Sequence, residues 1–255
     1  QQAKVLRHLD RVVGWQDGGT PAPVTIEWDL SNRCVLGCQD CHFAHTHVKG
    51  PWASKTRALP MAYDSGGDLA DPILMRRALP ECAAAGALSV IWSGGGEPTT
   101  HPQWPDVLVW ADEAGLQQGM YTLGGLFTRL SAQHAARNLE WVVVSLDCAD
   151  RDVYASEKGV RPERFDAAVQ GIRWLVEAQS ATVGVSFLLH EHNWARMGDM
   201  VELSRSLGAT YTTFRPAIQT SPVEPSVVTG DRTWITAALP ALRATQAEPD
   251  VECDA

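Results

Sequence analysis

Residues 24–41 read VTIEWDLSNRCVLGCQDC, an apolar strand-like run followed at once by Cys34, Cys38 and Cys41 in the spacing C-x3-C-x2-C. An iron–sulfur cubane usually takes four cysteine thiolates. Three thiolates on one short loop hold three irons and leave the fourth open to an exchangeable ligand. The loop therefore reads as a catalytic cluster rather than an electron wire. A structural zinc site of the Cys3His type, completed by His42, His45 or His47, is the alternative. Such sites usually draw their four ligands from two separated pairs.

Working outward, the apolar run 88–92 leads into Ser93-Gly94-Gly95-Gly96-Glu97-Pro98. Consecutive glycines remove Cβ atoms and let backbone groups approach a ligand closely. The carboxylate of Glu97 can receive an ammonium group. A glycine triplet alone also describes a flexible turn leaving a strand, and it gains weight only beside the cysteine loop.

On these residues the sequence resembles the radical S-adenosylmethionine (radical SAM) superfamily, with Cys34, Cys38 and Cys41 as the cluster triad and Gly95, Gly96, Glu97 and Pro98 as its GGEP segment. The likeness runs from about residue 24 to 216. It implies a [4Fe–4S] cluster whose unique iron chelates the amino and carboxylate groups of SAM. It further implies one-electron cleavage of SAM to a 5′-deoxyadenosyl radical that abstracts a hydrogen atom from substrate. The protein's part is orientation and the exclusion of side reactions. A flavodoxin- or ferredoxin-type donor is implied by the need for single electrons. One departure stands out: the aromatic residue common before the third cysteine is Asp40 here. Either His42 and Phe43 pack the adenine, or the base is held differently.

Strand-like and helix-like segments alternate, the mark of a parallel α/β sheet. Strands are expected at 24–30, 88–93, 117–122, 141–146, 182–189 and 210–214. Helices are expected at 72–85, 104–114, 126–136, 162–178, 193–206 and 232–244. Gly86, Gly115 and Gly208 follow three of these helices as C-caps. Six β/α units predict the partial (β/α)6 TIM-like barrel typical of the resembled family. The expected division is an N-terminal segment 1–23, a core 24–218, and a C-terminal helix and tail 219–255.

Active sites of such barrels collect at the carboxyl ends of the strands. Beyond the cysteine loop and Gly94 to Pro98, that rule gathers Tyr121 on strand three and Ser145 and Asp147 on strand four. The stretch Val144-Ser145-Leu146-Asp147 looks like the family's fourth-strand motif, implying a hold on the ribose or methionyl part of SAM. A polar strand end or helix cap reads equally well there. Lys158-Gly159 stands where many relatives carry Arg-Gly, implying contact with the SAM carboxylate, although lysine lacks the planar fork and a solvated lysine fits as well. His190, Asn193 and Arg215 end strands five and six as candidate substrate or SAM contacts. An arginine there can pair bidentately with a carboxylate or phosphate, or serve a structural ion pair. The aperiodic stretch 44–70, with His45 and His47, has the length of a lid or binding loop, although isolated histidines there also read as surface residues.

A chain of 255 residues, 45% hydrophobic, suffices for one sizeable core. The formal charge of −9 argues against a broad basic face for duplex nucleic acid. No apolar run reaches membrane-spanning length, and no signal peptide is visible. Cys82, Cys148 and Cys253 are scattered, with buried thiols expected at the first two. A reduced, cytoplasmic setting is expected because oxidation would threaten the cluster thiolates. The chain begins at Gln1 without methionine, which fits trimmed ends.

The expected activity is a radical SAM reaction on a small polar or nucleoside-like substrate, with an anion on it for Arg215. A peptide-modifying maturase, marked by a cysteine-rich extension beyond Cys253, is the alternative within the enzyme class. A non-catalytic iron–sulfur redox sensor is the alternative outside it.

Overall fold

The computed structural model describes residues 6–38, 41, 69–190, 193–216, 233–246 and 251–253. The candidates His42, Phe43, His45 and His47, with Asp40, the rest of the stretch 42–68 and residues 191–192, lie outside the described residues.

One sheet organises the chain, with strands β1 (Thr25–Asp29), β2 (Ser89–Ser93), β3 (Gln117–Thr122), β4 (Trp141–Ser145), β5 (Thr182–Leu189), β6 (Tyr211–Pro216) and β7 (Val251–Cys253). The strands pair in that order, every pair parallel. All six expected strands are present. The seventh was not expected: a three-residue strand pairs with Thr212, Thr213 and Phe214 where a tail was anticipated. Too short to carry a pattern, it takes its conformation from the edge of β6.

Helices α2 (Pro72–Ala84), α3 (Trp104–Glu113), α4 (Arg129–Asn138), α6 (Glu163–Ala178), α7 (Met197–Ser206) and α8 (Thr233–Gln246) match expectation within a few residues. Two helices were not anticipated. One is α1 (Leu9–Gln16), which buries none of its side chains; Arg11 fastens it to the carbonyls of Ala22, Pro23 and Gly86. The other is α5 (Arg151–Lys158). Asp150 caps its first turn by accepting from Asp152 N and Val153 N, and Gly159 ends it at φ 61°.

One face of the sheet carries the core. Val90, Trp92, Met120, Val142, Val144, Val183, Val185 and Phe187 are buried together with Leu79, Leu108, Ala135, Ile172, Leu175 and Met200 of the helices. Fully burying each large side chain contributes roughly 1.5–3 kcal/mol. Among the polar residues there, Gln118 is satisfied by Trp92 Nε1, Leu108 O and Asn138 O, and Thr212 Oγ1 pairs with Ser204 Oγ at 2.8 Å. Cys148 is buried as expected, whereas Cys82 is only half-buried.

The other face is concave and graded. Near its amino end, Gly119 and Gly184 leave room that the rings of Trp141 and Tyr211 fill; a Cβ at those glycines would stand 2.0 and 2.4 Å from the rings. Higher up, the register aligns Ser145, Ser186 and Thr213 on three adjacent strands. The face thus has an aromatic floor near the amino ends of the strands and polar rows near their carboxyl ends.

Candidate active site

The cysteine loop leaves β1 through Leu30 and is clamped to the glycine turn that leaves β2. Gly96 N donates to Ser31 O at 2.9 Å, and Glu97 N to Arg33 O at 2.7 Å. The fit demands glycine: a Cβ at Gly96 would lie 2.1 Å from Arg33 O, and one at Gly94 2.8 Å from Ser31 O. Thr100 Oγ1 adds contacts to Ser31 Oγ (2.7 Å), Arg33 O (3.2 Å) and Glu97 O (2.6 Å). The two motifs that stood out in the sequence thus form one braced unit.

Glu97 is fully buried. Its Oε1 accepts from Thr99 N (3.1 Å), Thr99 Oγ1 and Thr122 Oγ1 (2.7 Å), and its Oε2 accepts from Leu123 N at 2.7 Å. Burial pushes its carboxyl up, opposed by these same hydrogen bonds. The side chain proposed to receive an ammonium group therefore ties the turn after β2 to the end of β3.

Leu69 and Ala70 run beside the start of the cysteine loop. Ser31 bridges Leu69, and Ala70 N donates to Leu30 O at 3.0 Å. His101, buried, accepts from Gln103 N at Nδ1 (3.1 Å), so its Nε2 carries the hydrogen donated to Ala70 O at 2.9 Å. Sequence reasoning missed Ser31, Thr100, Thr122 and His101. Ser31, Thr100 and His101 lie within three residues of the two motifs and Thr122 adjoins Tyr121, so position alone could have raised each of them.

On the far side of the mouth, Asp147 and Lys158 form a buried ion pair. Asp147 Oδ1 also accepts from Leu188 N at 2.8 Å. Its backbone sits at φ 64°, a region that Asp tolerates better than most residues. Asn193, buried, donates from Nδ2 to Leu188 O (2.9 Å) and Asp147 O (3.2 Å) and accepts from His190 N (2.9 Å). His190 Nε2 stands 3.2 Å from Glu157 Oε1 of α5. These candidates are brought together, but with one another. Gly37 N donates to Lys158 O at 2.8 Å, which joins this network to the cysteine loop. Lys158 keeps its charge: burial works against it, and the charges of Asp147 and Cys38 outweigh burial.

Tyr121 and Arg215 meet across the concave face. The guanidinium lies 5.4 Å from the ring centroid and donates to the Tyr121 hydroxyl at 3.2 Å. Tyr121 also packs edge-on against Trp141. Ser145 lies beside Ser186 on the same rim. Beside β1, an open cleft of about 660 Å3 is lined by Glu27, Trp28, Asp29 and Ser93.

The donor set suits a cluster. Burial first, then the charge of Cys38, pushes the Cys34 thiol up to about 12. Cys38 is also pushed up, chiefly by burial, with Lys158 opposing. Metal loading must therefore displace protons from these thiols. A single zinc ion would need sulfurs about 3.8 Å apart, from tetrahedral Zn–S bonds of about 2.3 Å. Among the described residues no three Cys, His, Asp or Glu side chains gather around one ion. Thiolates of a cubane each bind a different iron, so they stand farther apart.

Residues 28–204 match the Radical SAM superfamily, and the chain belongs to that family of enzymes, which use a [4Fe–4S] cluster and SAM. Among curated relatives, it is 29% identical over 196 residues to the PqqA peptide cyclase of Ruegeria pomeroyi, covering 74% of this chain and 46% of that one. It is 25% identical over 212 residues to the mycofactocin maturase MftC of Mycobacterium tuberculosis, covering 82% and 49%. The crystal structure of Streptococcus suis SuiB bound to precursor peptide SuiA shares the fold, with TM-score 0.70, 16% identity and coverage of 96% and 52%. The chain spans about half the length of the curated relatives it matches. Among the described residues no helix is long and apolar enough to cross a membrane.

Proposed function

We propose that this chain is the radical SAM portion of a peptide-modifying enzyme. The observation that carries the reading is its similarity to a peptide cyclase and a maturase over 74% and 82% of its length. The expectation of a small polar or nucleoside-like substrate gives way to the peptide alternative on that ground. An open cleft lined by Glu27, Asp29 and Ser93 suits a side chain delivered from outside better than a fully enclosed small molecule.

Cys34, Cys38 and Cys41 hold the cluster, and the turn Gly94 to Pro98 faces SAM. Together these cofactors supply one-electron cleavage of SAM and the radical that abstracts a hydrogen atom. The electron comes from a flavodoxin- or ferredoxin-type donor. Backbone bonds from Gly96 and Glu97 fix the cysteine loop against the glycine turn. The rings of Trp141 and Tyr211 fill the floor beside Gly119 and Gly184, which would leave the rim as the place for substrate. Arg215, steadied by Tyr121, orients an acceptor group of the peptide at the rim.

The test is anaerobic incubation of reconstituted protein with SAM, reductant, and either candidate precursor peptides or a panel of nucleosides. A SAM- and reductant-dependent mass change in a peptide is expected. Modification of a nucleoside alone would contradict the reading.

A further inference from the structure

Lys158 is placed unlike a lysine that merely caps a helix. Its carbonyl accepts from Gly37, the residue before Cys38, so the last turn of α5 is stitched to the middle of the cysteine loop. Its side chain is 9% exposed, and its ammonium is held on Asp147 Oδ2. Asp147 is held in turn by Leu188 N and Asn193 Nδ2. The ammonium is therefore fixed, on a helix turn whose backbone is bonded to the residue before Cys38.

A [4Fe–4S]2+ core with three thiolates carries a net charge of −1, and one added electron makes it −2. No bond forms or breaks and no proton moves; the donor is oxidised by one electron. A fixed cation beside one thiolate favours the −2 state, and a fixed anion disfavours it. Net charge near the sulfurs is one of the levers that set cluster potentials, and low dielectric strengthens it. We propose that Lys158 is a positioning residue that raises the reduction potential of the cluster through Cys38, with Asp147 as its counterweight. The proposal rests on the family's cluster and not on the choice of substrate.

The test is a reductive titration of the anaerobically reconstituted protein without SAM or peptide, followed by EPR. It compares wild type, Lys158→Met, Asp147→Asn and the double variant. Asp147→Asn should have the highest midpoint, then wild type, the double variant and Lys158→Met. Poised at the wild-type midpoint, Lys158→Met should show a reduced-to-oxidised ratio at least tenfold lower, which is 59 mV for one electron. The double variant leaves no lone buried charge, so it serves if Lys158→Met fails to fold. Then Asp147→Asn must lie above wild type and the double variant below it. Single variants that shift the midpoint in the same direction, or leave it unchanged at full iron content, would overturn the proposal. Because no peptide is present, failure of the substrate reading leaves this result untouched.

Discussion

Glu97 and Asp147 are two buried carboxylates on opposite sides of the barrel mouth, stabilised by different means. Glu97 is surrounded by dipoles alone: two threonine hydroxyls and two backbone N–H groups. Asp147 has an ammonium as well as a backbone N–H. The first arrangement holds shape, bracing the turn after β2 to the end of β3. The second also places a cation beside the cysteine loop. One rim is thus held by dipoles and the other by a buried ion pair.

Substituting the loop that both rims serve should have the largest effect. Cys38→Ala should cut SAM cleavage to background and lower bound iron, checked by 5′-deoxyadenosine assay and iron analysis. Next comes the ionic rim. Lys158→Met leaves Asp147 buried and unpaired, and should cost about 3–5 kcal/mol of stability in urea unfolding. Adding Asp147→Asn should recover most of that loss. If the double variant were no better than the single, the buried ion pair would not be the stabilising feature.

The dipolar rim should be less costly to break. Glu97→Ala leaves Thr122 Oγ1 and Leu123 N without their acceptor, a loss of about 2–3 kcal/mol. It should lower the unfolding midpoint while leaving the relative order of potentials among the Lys158 and Asp147 variants unchanged. A smaller effect concerns Cys148, just after Asp147, whose thiol is pushed up to about 12 mainly by burial. A folded-state value above the unfolded one, about 8.5, gives stability that is full below pH 8.5. That stability is lost as pH rises toward 12. Cys148→Ala should flatten this alkaline loss in pH-dependent unfolding of the reduced protein.

The sheet was legible in the sequence because strand-like and helix-like segments alternate; 88–93 and 141–146 are largely apolar runs, as buried parallel strands allow, whereas TIEWD, QQGMYT and YTTFRP mix in polar residues and were placed by the alternation. The two motifs were legible because consecutive glycines and clustered cysteines are rare in ordinary turns. Helix α5 escaped because it has only eight residues, although Asp150 and Gly159 marked both of its ends. Strand β7 escaped because three residues carry no period. The partners of the site residues were the least legible part. Nothing local says that Lys158 will meet Asp147, eleven residues away, or that Glu97 will meet Thr122. Such pairings arise when the barrel curls and burial forces each charge to find a partner. Arg215 reaching Tyr121 across the concave face is of the same kind.

The account stands on three thiolates from one loop leaving a single iron for SAM. The most direct test is the EPR spectrum of the reduced, anaerobically reconstituted protein before and after SAM is added. A cluster signal that changes on SAM addition, followed by release of 5′-deoxyadenosine, is the predicted result. An unchanged signal from a fully ligated cluster, or protein that assembles no cluster at all, would contradict it.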